Sequence, residues 1–491
     1  MSRIVVISDL HFSDTPLADG LRRGDLADVF LLRVVHRLNR YIRPDVVVFL
    51  GDVIDDGMAP GAHSLLIRLR GILNLLRMPW LILPGNHDGD VKTFYEIMPR
   101  PPEHADLAGV RFLPFFDIEE PGYNARRSEL DLMRMRSARG SFTGPVVALQ
   151  HVPLFPDGAS DCLYRLVNSA DAIAAMRCGG IDMAIGGHYH PGFTDVRQDG
   201  VDYLAVPALC EAPFAFHELI VGDGPVRVIR HELSSPPELG LVDWHVHTPF
   251  AYCNENMDPG RSVELARVFG LAGFALTEHS SHLYYEYKSI LSGEYFRTGL
   301  AGAHPAEFRA DAYFNTMAPF RSSSLKVGLE TDVACDGSPT IRPVDAKRCE
   351  VRTGAIHELM ELRKPHPDPE RCRDEFLFLT RRILETGPQI LAHPFRVFRL
   401  AHQSVPESLF APVCRLLREH KVAAEINFHT NQPSPDFIRM CICEGVRIAL
   451  GSDAHNLYEI GEFAPHLVLL RSMGYDSDLN AILIPFTGAA P

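Results

Sequence analysis

The sequence predicts two α/β domains in tandem, on three observations. Its 491 residues exceed what one ordinary core accommodates. Short apolar runs alternate with amphipathic stretches through both halves, the pattern of strands alternating with helices. In each half, metal-type side chains follow the C-terminal ends of the apolar runs, where open α/β sheets and barrels hold their ligands. The composition, 46% apolar and 22% charged, is that of a globular protein.

In the first half, Ile4–Ile7, Val46–Leu50, Leu81–Leu83, Val146–Leu149 and Met183–Ile185 read as buried strands, and Leu26–Ile42 and His63–Leu76 as helices. From Gly192 to Glu232, Gly-Asp and Asp-Gly turns between short runs predict an antiparallel flank. Ser234-Ser235-Pro236-Pro237 has the composition of a linker. The pattern then restarts at Leu241-Val242-Asp243. Further strands are expected at Ala272–Leu276, Leu325–Leu329, Gln389–Leu391, Val422–Ile426 and Val446–Leu450, with helices at Ser262–Phe269, Cys372–Leu384 and Leu409–His420. The aromatic-rich stretch 283–325 fits the alternation poorly and reads as an insertion over the second site. The expected domains are therefore 1–232 and 241–491, joined by 233–240, the second a barrel-like α/β domain.

The formal net charge of -14 weighs against a broad face for duplex nucleic acid, which needs clustered Lys and Arg. A small phosphate ester is still compatible, because bound cations reverse the sign locally. The ten cysteines form no CxxC pair, the N-terminus enters a strand without a secretory h-region, and no apolar run reaches membrane-spanning length. A cytoplasmic protein with reduced thiols is the expectation.

Much of the chain's stock of 23 histidines sits in motifs. The first half carries Asp9-Leu10-His11, Gly51-Asp52, Gly85-Asn86-His87-Asp88, His151 and Gly187-His188-Tyr189-His190. An Asp-x-His pair offers a carboxylate and an imidazole to one metal, which His190 completes. Asp52 can bridge to a second metal, completed by Asn86, His151 and His188. Oxygen and imidazole ligands suit Mn, Fe or Zn, and two such metals activate water for attack on phosphorus. His63 and His104 read as surface or packing residues.

These motifs resemble those of the calcineurin-like metallophosphoesterases over residues 1–232. The resemblance implies a β-sandwich flanked by helices, with two divalent metals held by Asp9, His11, Asp52, Asn86, His151, His188 and His190. It further implies that His87 contacts the phosphate and protonates the leaving oxygen while Asp88 orients its ring. The family's protein phosphatases carry an arginine where this chain has Asp56. That departure argues for the branch acting on phosphodiesters, including nucleotide-like ones.

The second half carries His245-Val246-His247, Glu278-His279, Glu330, His393 and Asp453-Ala454-His455. His245 and His247 leave one strand end in the same direction, as a bidentate grip requires, with Asp243 available to orient one of them. Glu330 is the natural bridging carboxylate. The stretches D-W-H-V-H-T, T-E-H, G-L-E, A-H-P and S-D-A-H resemble the PHP (polymerase and histidinol phosphatase) family over 240–491. That resemblance implies a distorted (βα)7 barrel with two to three divalent metals, Zn, Mn or Fe. One would take His245, His247, Glu330 and Asp453. Another would share Glu330 and take His393 and His357, and a third His279 and His455. Cys253 stands where histidinol phosphatases have a histidine, and a thiolate there suits Zn. Glu425-Ile426-Asn427 lies at a strand end facing the same mouth. His282, His304, His366, His402, His420, His429 and His466 match no motif and read as structural or surface residues.

No G-x-S-x-G elbow or P-loop accompanies these sets. The expected activity is bifunctional: the first domain opens a phosphodiester and the second removes the resulting phosphomonoester, both by metal-activated water. Two alternatives are a metal-dependent nuclease, against which the acidic charge weighs, and an active esterase with a ligand-sensing second domain.

Overall fold

The computed structural model describes residues 1–486 apart from 18, 19, 223 and 477. The end of the expected second domain, 487–491, lies outside the described residues. The chain divides into two compact units, Met1–Ser234 and Ser235–Pro491. The Leu233 amide still donates to Phe214 O, whereas that of Ser235 donates to Phe269 O, so the change falls inside the Ser234–Pro237 stretch.

The first unit contains β1 (Ser2–Ile7), β2 (Val46–Phe49), β3 (Trp80–Ile82), β4 (Ala105–Leu107), β5 (Val110–Pro114), β6 (Ile118–Glu120), β7 (Asn124–Arg126), β8 (Val146–Leu149), β9 (Met183–Gly186), β10 (Phe193–Gln198), β11 (Val201–Ala205), β12 (Ala215–Val221) and β13 (Arg227–Glu232). One sheet runs β13-β12-β1-β2-β3, a second β10-β11-β9-β8-β5-β4, and β6 and β7 form a separate hairpin. Ile4, Val6, Val46 and Val48 of the first sheet share a buried cluster with Val147, Leu149, Ile185 and Leu204 of the second. The two sheets therefore pack face to face as a sandwich. On the outer face of the second sheet, Ala148 and Ala184 pack with Leu132 and Met135 of the helix Glu129–Arg136 and with Ala172 and Met176 of the helix Ser169–Gly179. The expected helix at 26–42 is an α-helix over Ala27–Arg37 that widens into a π-helical turn over Leu38–Ile42.

An internal ion pair braces this unit. Arg127, fully buried, reaches Asp117 through Nε at 2.5 Å and NH2 at 2.9 Å, with its guanidinium carbon 3.9 Å from the Phe115 ring centroid. Removing one partner of a buried pair strands the other charge and costs about 3–5 kcal/mol. Arg127→Met is expected to lower the urea midpoint of this unit correspondingly. Trp80 fluorescence in a Trp244→Phe background reads that transition.

The second unit is a parallel barrel. Its strands β14 (Val242–Val246), β15 (Gly273–His279), β16 (Leu325–Asp332), β17 (Arg352–Ala355), β18 (Ile390–Leu391), β19 (Ala423–Asn427) and β20 (Ile448–Gly451) pair in chain order. A bridge between Val246 and Ala454 brings the two ends together, so the barrel is nearly closed. Trp244, Ala275, Ile390, Ala423 and Ala449 pack in one cluster near the strand starts. Two residues on from Ala423 and four on from Ala275, the same strand faces present Glu425 and His279. The stretch 283–325 folds into short helices, Tyr287–Ser292, Glu294–Thr298 and Ala310–Met317, that bury Tyr295, Phe296 and Tyr313. Among the described residues no helix is long and apolar enough to cross a membrane.

Candidate metal centres

Each half brings its motif residues to one point, and their local backbone is unusual. Among the described residues fifteen non-glycine residues have positive φ; six of them are Asp9, His11, Asp52, His188, His393 and Asp453. A side chain in the left-handed region costs free energy, so these sharp turns persist because the surroundings impose them. Two glycines permit the close approach. A Cβ on Gly85 would lie 2.2 Å from Asp52 Oδ1, and one on Gly187 would lie 1.9 Å from Ser8 Oγ and 2.9 Å from Asp9 Oδ2.

In the first unit, His11 Nε2 lies 4.0 Å from Asp9 Oδ1 and 3.7 Å from Asp52 Oδ2, and His190 Nε2 lies 3.7 Å from Asp9 Oδ1. His151 Nε2 lies 3.2 Å from Asp52 Oδ2, 3.1 Å from Asn86 Oδ1 and 3.1 Å from His188 Nδ1. Asp52 thus stands between two donor groups. Buried Asp9 Oδ1 and His11 Nε2 have no hydrogen-bond partner. Convergent buried donor atoms of this kind are what a cation site requires, because burying polar groups unpaired is costly. The donor set fits two divalent cations, held by Asp9, His11, Asp52 and His190 on one side and Asp52, Asn86, His151 and His188 on the other.

The far ring nitrogens are anchored. His151 Nδ1 donates to Leu50 O at 2.7 Å, which leaves Nε2 as the lone-pair atom. His11 Nδ1 faces Asp55 Oδ1 at 3.1 Å, and Arg22 reaches the same oxygen at 2.9 Å. His190 Nδ1 lies 2.6 Å from Glu211 Oε1. Neither Arg22 nor Glu211 belongs to a motif. Loss of such a supporting group commonly costs about 10–100-fold in metal affinity. Glu211→Gln is expected to weaken metal binding to the first unit within that range, read by competitive titration with a chelating dye.

One expectation is corrected. Asp88 does not orient the His87 ring: Oδ1 accepts the amides of Val53 and Ile54 at 2.8 and 3.0 Å, and Oδ2 that of Gly85 at 2.8 Å. The turn after Gly85 carries the carboxylate back toward the Asp52 loop. His87 is held instead through Nδ1 by Asp55 O at 2.6 Å and through its amide by Asp52 Oδ1 at 2.8 Å. The ring borders two clefts, one of about 420 Å³ lined by His11, Asp52, His188 and His190, the other of about 800 Å³ lined by Asp55, Asp56, Glu119 and Glu120.

In the second unit, His245 Nε2 lies 3.5 Å from Glu330 Oε2 and 3.6 Å from Asp453 Oδ1, while His247 Nε2 lies 3.9 and 2.9 Å from the same two atoms. On the other side, Glu330 Oε1 meets His393 Nε2 at 2.7 Å and His357 Nε2 at 3.3 Å. His279 Nδ1 lies 2.6 Å from Glu330 Oε2, and its Nε2 lies 3.6 Å from Cys253 Sγ. His247, His279 and His455 form one group of convergent donors, and Cys253, His279 and His282 another. His245 Nε2, Glu330 Oε2 and Asp453 Oδ1 are buried and converge, the two oxygens within 3.6 Å of that nitrogen, so this donor set also fits divalent cations.

Supporting contacts differ from expectation here too. Asp243 binds backbone, accepting the amides of Ser452 and Gly461 at 3.0 and 2.8 Å. The His245 ring is oriented by Glu425 at 2.8 Å and the His247 ring by Glu278 at 3.2 Å. Arg396, absent from any motif, reaches Asp453 Oδ2 at 2.5 Å. His282 and His429, read as structural, crowd the donors: their rings lie 4.4 Å from His279 and 4.8 Å from His455. His304, His366, His402 and His420 are exposed, as are His63 and His104.

Burial alone would lower the His151 pKa, but the Asp52 carboxylate overrides it and holds the ring up at about 10. Burial would likewise lower His357, yet Glu330 and Asp332 raise it to about 10. Burial would raise Glu330, and His357, His245 and His279 instead pull it well below the carboxylate range. Without a cation, protons on the neighbouring imidazoles of His151 and His357 balance these ionised carboxylates. A metal must displace them, so affinity rises with pH by up to about tenfold per unit for each proton released. Calorimetry of Mn binding in buffers of different ionisation enthalpy is expected to show net proton release near neutral pH.

Comparisons with known proteins bear on the first unit. Residues 2–192 match the family model for calcineurin-like phosphoesterases, and no PHP-family match accompanies it. A cAMP/cGMP dual specificity phosphodiesterase of Mycobacterium tuberculosis is 28% identical over 220 residues, covering 41% of this chain and 67% of that protein. A dimetal phosphatase from Danio rerio aligns with a TM-score of 0.39 and 16% identity, over 47% of this chain and 96% of that one. The purple acid phosphatase PPD1 from yellow lupin (Lupinus luteus) seeds aligns at 0.33 and 14%, over 47% of this chain and 51% of its own. Residues 2–192 thus carry a calcineurin-like metallophosphoesterase domain, followed in the same chain by a nearly closed seven-stranded parallel barrel with a second cluster of metal-type side chains.

Proposed function

We propose that the chain is a bifunctional phosphohydrolase, with residues 1–232 opening a small, nucleotide-like phosphodiester and residues 241–491, a PHP-type phosphoesterase, removing the phosphate left on the product. The observation that carries this reading is the pair of clusters of convergent metal-type donor atoms, one in each unit. The family match and the printed activity of the mycobacterial relative support a phosphodiester at the first site.

Divalent cations, Mn, Fe or Zn, would supply Lewis-acid polarisation of the phosphoryl group and an activated water. The chain supplies the rest. Asp9, His11, Asp52, Asn86, His151, His188 and His190 hold the first set. Asp55 O accepts from His87 Nδ1 and turns Nε2 toward the clefts, so a protonated ring can deliver its proton to the leaving oxygen. His245, His247, Glu330, Asp453, His357, His393, His279, His455 and Cys253 hold the second set. Arg396 fixes one oxygen of Asp453. A polynucleotide is disfavoured, because Asp55, Asp56, Glu119 and Glu120 line the larger cleft and repel further phosphates.

Two phosphate-ester hydrolases on one chain make sense on consecutive bonds, where tethering raises the local concentration of the intermediate. Incubating the Mn-loaded protein with cyclic AMP is expected to give a transient of AMP, then adenosine and inorganic phosphate. AMP accumulating in full with no phosphate release would remove the second step from the proposal.

A further inference from the structure

The hairpin of β6 and β7 borders the clefts of the first unit, with Glu119, Glu120 and Tyr123 among their lining residues. Tyr123 sits in the turn between β6 and β7, with φ of +60° and 66% of its surface exposed. A bulky side chain in the left-handed region is a strained outlier, and such strain is characteristic of functional positions. The hairpin is not free to drift. The Ala125 amide donates to Arg165 O at 3.2 Å and the Val167 amide to Ala125 O at 2.8 Å. This docking sets the Tyr123 ring 6.2 Å from that of Tyr164, at 87°. Tyr164 in turn lies edge-on to His188 at 4.7 Å, and Tyr123 lies 6.5 Å from His188. Tyr123 borders both clefts. An exposed aromatic face thus stands beside a proposed metal ligand, braced by a second ring.

Resting on the phosphodiesterase reading, we propose that Tyr123, braced edge-on by Tyr164, is the stacking platform for a nucleobase, and that the substrate is a mononucleoside phosphodiester. Every base has a π face, and stacking on an aromatic side chain tolerates base identity. The carboxylates of Asp55, Asp56, Glu119 and Glu120 accept hydrogen bonds from the amino and ring N–H groups of a base. The same carboxylates repel a second phosphate, which sets a single nucleoside apart from a strand.

The test is calorimetric binding to the Mn-loaded full chain of the non-hydrolysable isostere of cyclic AMP in which methylenes replace both ester oxygens, a diester analogue directed to the first site, against the same isostere without its base. Stacking predicts that the base tightens binding by about 5- to 150-fold. Tyr123→Ala should remove most of that preference, and Tyr123→Phe, which keeps the ring, should retain it. Equal affinity for the two isosteres, or an undiminished preference in Tyr123→Ala, overturns the platform. Cleavage of cyclic AMP by the wild type is scored separately. A base preference without cleavage supports the platform and sinks the hydrolytic reading alone.

Discussion

Asp52→Asn is expected to cut phosphodiester cleavage by at least about 100-fold, the upper end of what loss of a merely supporting group costs at a metal site. Asp52 is central for three reasons. Its Oδ2 lies 3.7 Å from His11 Nε2 and 3.2 Å from His151 Nε2, so one oxygen serves donors on both sides. Its Oδ1 accepts the His87 amide at 2.8 Å, which ties the proposed proton donor to the same side chain. Its pKa is lowered: burial would raise it, but His151, His11 and His87 keep it ionised. An amide keeps the shape and removes the charge. Metal content by mass spectrometry should fall by the first unit's share, while the p-nitrophenyl phosphate turnover proposed for the second unit persists. Full diester activity in Asp52→Asn would mean that the cluster around Asp52 is not the hydrolytic centre.

What made this site legible is that its ligands lie next to the strongest local signals in the chain. Val46–Phe49 is a run of β-branched and aromatic residues with the composition of a buried strand, and Asp52 follows three residues on. The barrel strand β17 reads Arg-Thr-Gly-Ala and was not foreseen. Nothing local marks it; its place is set by pairing with β16 and β18, from Leu329–Arg352 through Gly354–Leu391. The same limit hid the supporting residues. Glu211, Arg22 and Arg396 matter because loops far apart in sequence meet in space. Asp88 shows the converse. The family resemblance implied that it orients the His87 ring, and the backbone turn gave its carboxylate to the amides of residues 53, 54 and 85 instead.

In the second unit the largest effect is expected from Glu330→Gln, with phosphomonoester hydrolysis falling by at least about 100-fold. Glu330 is fully buried, and five donors surround it: His245, His247 and His279 face Oε2, and His357 and His393 face Oε1. A neutral amide there offers one oxygen in place of two and turns an N–H toward imidazole nitrogens. Bound metal in this unit should therefore fall together with activity. The paired readout separates the two roles open to the barrel. Loss of metal and of phosphate release from AMP, with cyclic AMP still opened by the first unit, makes the second unit the phosphomonoesterase. Loss of metal with no change in phosphate release, but altered kinetics of cyclic AMP opening, would make the barrel a metal-dependent sensor acting on the first unit.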